Sequence, residues 1–447
     1  MKIQLSEHFT YNKLIRFSVP SIMMMIFTSL YVLVDGLFVS NCVGDTEFAA
    51  LNLIFPFLMI AGALGFMLGT GGTALVAKTL GEGDSIKANK IFSMLVWCTI
   101  IIATAIGTVC FIFIRPIAIL LGAESDMVGH CVVYGRLILT ALPFFMLQNL
   151  FQSFLITAER PKMGLYVTIA AGATNMVFDA LFVWLFRWGL AGAAIATGIS
   201  QFVGAIIPLV YFISKNKSCL RLGRFYFNFG EFMKCCTNGS SEFVSNISAS
   251  VVNMIYNLQL MNLAGQDGVS AFGVIMYVQF IFVGVYCGYA LSVAPVIGFH
   301  YGAGNKDELK NLLKKSTVLI GIASLALTVT AELTAPYLTH IFVGYKPSLY
   351  ELSLKAYYLY SVSYLLAGFN IFASSFFTAL NDGVTSAAIS FLRMFVFQII
   401  SLVGLPLLLP NALKLDGIWL AIVAAEGMSL LVNVIIVIAK RKKYGYM

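Results

Sequence analysis

Four side chains in the first half of the chain have the chemistry to hold a small cation or a proton: Asp35, Asn175, Asp179 and Thr197. Asp35 stands near one end of an apolar run, residues 14–41, that has Pro20 near its other end. An aspartate at the centre of a membrane helix costs about 3 kcal/mol. It therefore either marks where the helix leaves the lipid or is kept for ion chemistry. Asp179 follows Lys162 by 17 residues, about 25 Å along a helix. Asn175 lies one turn below it on the same face. Asp35 comes 15 residues after Pro20, and Thr197 sits early in the returning sixth span, so all four reach a similar depth. Two carboxylates, an amide and a hydroxyl suit a hard monovalent cation. They equally suit a shared proton, because close carboxylates in a low dielectric resist double ionisation. Any one of them alone could simply hydrogen-bond a neighbouring helix, worth about 1 kcal/mol; four at one depth favour a site.

The elements that position these groups are membrane spans. The chain is 60% hydrophobic and 11% charged, with mean hydropathy +0.90, and about 20 apolar residues cross the hydrocarbon as a helix. The runs are too long and uniform for barrel strands. Twelve spans are expected, at 14–39, 48–78, 90–114, 127–157, 162–186, 190–213, 233–262, 269–300, 311–341, 350–379, 384–409 and 415–439. The fold class is an all-α polytopic membrane protein. The first run follows basic residues as a signal peptide would, but it is too long and lacks a small-x-small cleavage site, so it reads as a start-transfer helix. With the N-terminus inside, 21 of the 28 Lys and Arg fall on inside segments and four outside. Both termini are therefore expected in the cytoplasm. The net charge of +8 follows from this bias and does not imply nucleic acid. The eight cysteines are scattered without a CxxC, which supports neither a metal site nor a disulfide framework. No GxxxxGK[ST] and no HExxH occur, which disfavours ATP-driven transport and metalloenzyme chemistry.

The chain repeats itself. A shift of 221 residues lays NLFQSFLITA (149–158) on NIFASSFFTA (370–379), Gly81 and Gly83 on Gly302 and Gly304, and Ala50 on Ala271; the last helix pair needs four residues more. A repeat of six spans without inversion gives two pseudo-symmetric lobes with a pathway between them. Residues 1–213 form the expected first lobe, 214–232 a basic cytoplasmic linker and 233–447 the second lobe. The same shift places Tyr256 opposite Asp35 and Ile400 opposite Asp179, so the coupling chemistry is expected in the first lobe only. Among other in-span charges, Arg393 and Glu426 differ in height by about 6 Å and are expected to pair. Arg136 is expected to snorkel outward or meet an acid, and Glu351 and Lys355 stand at i,i+4. Glycines 62, 65, 69, 71 and 72 suit close helix packing, with a hinge as the alternative. Met23, Met24 and Met25 lie beside the expected cavity, where soft side chains suit bulky cations.

On VDGLFVSNCVG, GTGGTALVAKTLGEGD, TAERPKMG, NMVFDALF and GLAGAAIATGISQ, the chain resembles the MATE (multidrug and toxic compound extrusion) family over its whole length. The similarity is strongest to the MepA-like and DinF-like branches. The resemblance implies a two-lobed antiporter of the inner membrane, not an enzyme. It would expel lipophilic organic cations in exchange for H⁺ or Na⁺, use no cofactor beyond that ion, and function as a monomer. It implies coupling roles for Asp35, Asn175, Asp179 and Thr197, a bend of the first helix at Pro20, and Asn149 as a cavity amide. Glu242 resembles the seventh-helix acid of the NorM branch. That branch's tenth-helix aspartate is missing here, with Glu351 near the outer end instead. The alternative is a flippase for lipid-linked saccharides of the same superfamily, whose anionic cargo calls for a basic cavity.

Overall fold

The computed structural model describes residues 3–216 and 218–447, with backbone alone at positions 37, 40, 41, 45, 125 and 412. Lys2 and Lys217, both counted above as inside charges, lie outside the described residues. The first six spans are α1 (Tyr11–Cys42), α2 (Asp45–Gly81), α3 (Ser85–Leu120), α4 (Ser125–Thr157), α5 (Pro161–Asp179, continued as a π-helical turn Ala180–Leu185) and α6 (Gly189–Ile213). The helix Phe229–Gly302 has 74 residues, about 110 Å if straight. It breaks at Gly265 (φ 62°, ψ −150°), which divides it into α7 (229–264) and α8 (266–302). There follow α9 (Lys306–Val343) and α10, formed by Pro347–Ser361 and Tyr364–Ala379 with a 48° bend between them. Next is α11, built from Gly383–Phe391, a π-helical turn Leu392–Val396, and Phe397–Leu408. Last is α12 (Lys414–Tyr444). Ten of these helices are long and apolar enough to cross a bilayer singly; the bent pair and the division at Gly265 make twelve spans among the described residues.

Odd-numbered helices start with local signals, all at the face that carries the termini. Side-chain oxygens of Thr10, Asp84, Asn228, Asn305 and Asp382 accept the first free N–H groups of α1, α3, α7, α9 and α11, and Pro161 opens α5. Such caps stabilise a helix by about 1 kcal/mol each. The repeat is visible in them: Asp84 and Asn305 are 221 residues apart, and each follows a glycine, Gly83 or Gly304, with positive φ.

The lobes meet along a seam with the same internal symmetry. A Cβ on Gly81 would lie 2.0 Å from the Phe299 carbonyl oxygen, and one on Gly302 would lie 2.0 Å from the Lys78 oxygen. Each contact maps onto the other under the 221-residue shift. Farther along, Gly71 of α2 meets Cys235 and Gly239 of α7, with its Cβ position 2.0 Å from the Cys235 oxygen. The matching pair is Ser292 of α8, whose hydroxyl lies 2.7 Å from Ser18 of α1. Asn381, in the α10–α11 turn, donates to the Ala74 carbonyl and accepts from Asn238. The other α2 glycines serve packing as expected. Gly62 and Gly65 abut Phe145 and Met146 of α4, and Gly72 abuts Leu95 of α3.

The segment before α1 is fixed across the terminal face. The Leu5 N–H donates to Glu159 in the α4–α5 turn. The Phe9 N–H donates to Glu308 of α9 at 2.9 Å, and the Phe9 carbonyl accepts from Asn311 and Lys315. Leu5 and Phe9 are buried in a cluster with Tyr444 and Tyr446 at the other end of the chain.

Candidate functional site

α1 and α5 lie side by side and bring Asp35 and Asp179 together. The two carboxyl groups face one another, with the Asn175 amide beside Asp35. Asp179 and Asn175 are buried at 0% and 2% exposure. Both Asp179 oxygens, one Asp35 oxygen and the Asn175 oxygen are buried without a hydrogen-bond donor. Carboxylates accept only, so facing carboxylates provide no donor for one another. Buried acceptors left in this state cost about 1–3 kcal/mol each, more when charged. A proton or a small cation among these oxygens would satisfy them.

Two residues of this cluster escaped the sequence reading. Tyr134 of α4 is buried within electrostatic range of both acids. Tyr31, one turn before Asp35, packs its ring over Gly172, whose Cβ would lie 3.1 Å away. Spacing indicates Tyr31 in retrospect, four residues from Asp35; nothing local indicates Tyr134. The π-helical turn was also missed. It starts directly after Asp179 and is closed by the Phe186 N–H on the Leu181 carbonyl, under a stack of Phe178, Phe182 and Trp188 rings. The one extra residue in this turn displaces the rest of the helix at the acid, as π-turns at functional positions often do.

The remaining expected residues are less tightly gathered. Thr197 is half-buried on α6, and among the described residues its hydroxyl makes no hydrogen bond to the acids. Asn149 is buried and its amide donates to the Phe145 carbonyl of its own helix. Pro20 is buried beside the seam, and α1 runs unbroken through it. Met23 is exposed and Met25 partly buried, while Met24 is fully buried with its sulfur 3.4 Å from the Cβ position of Gly164. Met24 therefore packs α1 against α5 and does not line a cavity; the unbroken helix turns it a full 100° from Met23.

The second lobe holds its charge differently. Arg393, in the π-helical turn of α11, grips Glu426 of α12 with 2.9 and 2.7 Å contacts, as expected. Asn370 donates to Glu426 at 2.6 Å and accepts from Asn433. Asn370 is the repeat partner of Asn149, so one amide position bonds back to a carbonyl of its own helix in one lobe and serves a buried ion pair in the other. Glu242 stands within electrostatic range of Arg393 and Cys287. Tyr256, opposite Asp35 in the repeat, is buried with its hydroxyl 3.5 Å from Gln398, so no second acid pair forms. Lys355 binds Asp416 of α12 at 2.7 Å, and no ion pair with Glu351 forms among the described residues. Arg136 lies over the Phe111 ring at 4.9 Å, where a cation is attracted by the π face.

The MatE family model matches this chain twice, over residues 20–181 and 243–403. The chain belongs to the MatE family. The two matches coincide with the repeat, and MatE proteins are transporters, not enzymes. Two curated relatives carry the name multidrug export protein MepA. The one from Staphylococcus saprophyticus is 22% identical over 80% of each chain. The one from Staphylococcus aureus is 21% identical over 97% of this chain and 94% of its own. An outward-facing structure of a multidrug resistance MATE transporter superposes with TM-score 0.91 at 22% identity, covering 98% of both chains. A Pyrococcus furiosus transporter, described as having a binding pocket of reverse polarity, superposes with TM-score 0.87 at 22% identity, over 97% of each. At such identities the structures establish the MATE fold alone. Substrate must be argued from the site.

Proposed function

We propose that this chain is a multidrug efflux antiporter that exports lipophilic organic cations in exchange for H⁺ or Na⁺. One observation carries the reading: in the Asp35–Asp179–Asn175 cluster, four buried acceptor oxygens receive no hydrogen bond. The names of the MepA relatives support the export of drugs. The acidic character of the cluster favours cationic over anionic cargo. The lobes, 1–213 and 233–447, rock about the linker 214–232, with both termini in the cytoplasm and the protein in the cell's inner membrane as a monomer. From outside, the coupling ion enters among Asp35, Asn175, Asp179 and Thr197 and neutralises the acids. This weakens their attraction for an organic cation in the cavity beside Asn149, Met23, Met25 and Glu242. Ion and drug binding are then reciprocally linked by about 1–3 kcal/mol. Pro20 removes one backbone hydrogen bond from α1 and gives that helix a place to bend.

The test is transport of ethidium by purified protein in liposomes under an imposed pH or Na⁺ gradient. Wild type should accumulate substrate only with the gradient of its coupling ion, and Asp35→Asn and Asp179→Asn should abolish that dependence. Gradient-driven transport undiminished in both variants would sink the proposal.

A further inference from the structure

We infer that the segment joining the two lobes is a membrane-interface anchor that binds anionic phospholipid headgroups. The segment does not hang free. It runs back along the first turns of α3, where the Arg221 N–H donates to Asn89 at 2.6 Å and the Gly223 N–H to Ser93 at 2.7 Å. The Trp97 indole donates to the Gly223 carbonyl, and the Asn228 N–H meets the Met94 sulfur. On α3, Lys90 is the last charge before Arg115, and residues 91–114 are uncharged, about 36 Å of helix. Ser93, Met94 and Trp97 thus belong to the membrane-crossing part of α3, and residues 222–228 are held against that part. The linker is set at the depth where headgroups meet hydrocarbon.

Its composition fits that depth. Phe225, Tyr226, Phe227 and Phe229 are all exposed, Phe229 to 68%. In a soluble loop, four exposed aromatics within five residues would be an apolar patch with nothing to cover it. At the interface they form the usual aromatic belt, continuous with exposed Trp97 and Ile101 on the lipid side of α3. Around them Lys90, Arg221, Arg224 and Lys234 are exposed and make no ion pair among the described residues. Lys90 lies over the Tyr226 ring at 5.6 Å. Glu231, at the start of α7, pairs with Lys87 at 3.5 Å. Aromatics in the acyl boundary, with unpaired cations beside them, match a phospholipid with a net negative headgroup. On this reading the linker is a fulcrum fixed in the inner leaflet.

The test uses full-length protein purified in zwitterionic detergent. Added phosphatidylglycerol should raise the unfolding midpoint of wild type more than phosphatidylcholine or soluble glycerol phosphate does. Lys90→Gln/Arg221→Gln/Arg224→Gln/Lys234→Gln should keep the lipid-free midpoint. It should lose apparent affinity for phosphatidylglycerol by about fivefold per cation removed. Arg441→Gln/Lys442→Gln/Lys443→Gln, the same kind of change at the far end of the chain, should keep the response. In phosphatidylglycerol vesicles, Tyr226→Trp should show quenching by shallow nitroxide-labelled lipid in excess of wild type. An unchanged lipid response in the fourfold variant, an equal response to glycerol phosphate, or no excess quenching would each overturn the inference.

Discussion

Replacing Gly81 by alanine puts a methyl carbon 2.0 Å from the carbonyl oxygen of Phe299. Carbon–oxygen contacts settle near ~3.4 Å, so α2 and α8 must part by about 1.4 Å. Both sides of the contact are backbone, and no side chain can rotate away. Overpacking of this kind costs about 1–3 kcal/mol, and only while the seam is closed. If the lobes separate here during transport, the variant shifts the balance toward the separated state by about 5- to 150-fold. Amide hydrogen exchange of residues 78–84 and 299–305 should accelerate accordingly, and ethidium efflux should slow. Gly302→Ala, which meets the Lys78 oxygen at 2.0 Å, should behave alike, and Gly129→Ala, with nothing within 4 Å, should do neither. Unchanged exchange in both seam variants would refute the idea that this contact holds the lobes together.

Three further outcomes are expected. Arg393→Met leaves Glu426 buried and unpaired and should cost about 3–5 kcal/mol. Adding Glu426→Gln should restore most of the unfolding midpoint; a double variant no better than the single would contradict the pairing. Gly265→Ala forces a β-carbon into a backbone conformation reserved for glycine, with no neighbour within 4 Å. The loss should be conformational, about 1–3 kcal/mol, and a midpoint equal to wild type would exclude strain there. Burial raises the Asp382 carboxyl, but Lys440, Tyr444 and Thr385 outweigh it and hold it at about 2, below the ordinary 3.8. A depressed value stabilises the fold above pH ~4 and is lost as pH falls toward 2. After allowance for solvent screening this amounts to about 1–2 kcal/mol. Wild type should therefore lose its midpoint advantage over Asp382→Asn across that window, and a constant difference would contradict the assignment.

Much of this was legible in the sequence for identifiable reasons. Span positions follow from hydropathy, because lipid leaves the backbone no alternative to the helix. The Arg393–Glu426 pair followed from depth alone, since an unpaired charge there is costly. The nearness of Asp35 and Asp179 followed from matched heights on helices of one lobe. What failed was lateral position. Height says nothing about which way a side chain turns, so Met24 proved to be packing, and Lys355 found Asp416 on another helix. Tyr134 has no local signal because its relation to the acids exists only once α4 is packed. The π-helical turns are likewise invisible to a 3.6-residue period. The linker's basic residues read as a charge count until Asn89 and Ser93 revealed where the segment lies.

The hydrogen bond between Phe9 and Glu308 spans 299 residues of chain, and that separation is also an interval of time. At about 5–20 residues per second of synthesis, roughly 15–60 s pass between the making of the donor and the making of its acceptor. Throughout that interval α1 stands in the membrane while the residues ahead of it lack their partners on α9 and α12. The earliest described part of the chain is thereby among the last to be fastened. Its docking reports that the second lobe has been built, so a chain stalled partway through synthesis can be told from a finished one by the accessibility of Leu5 and Phe9.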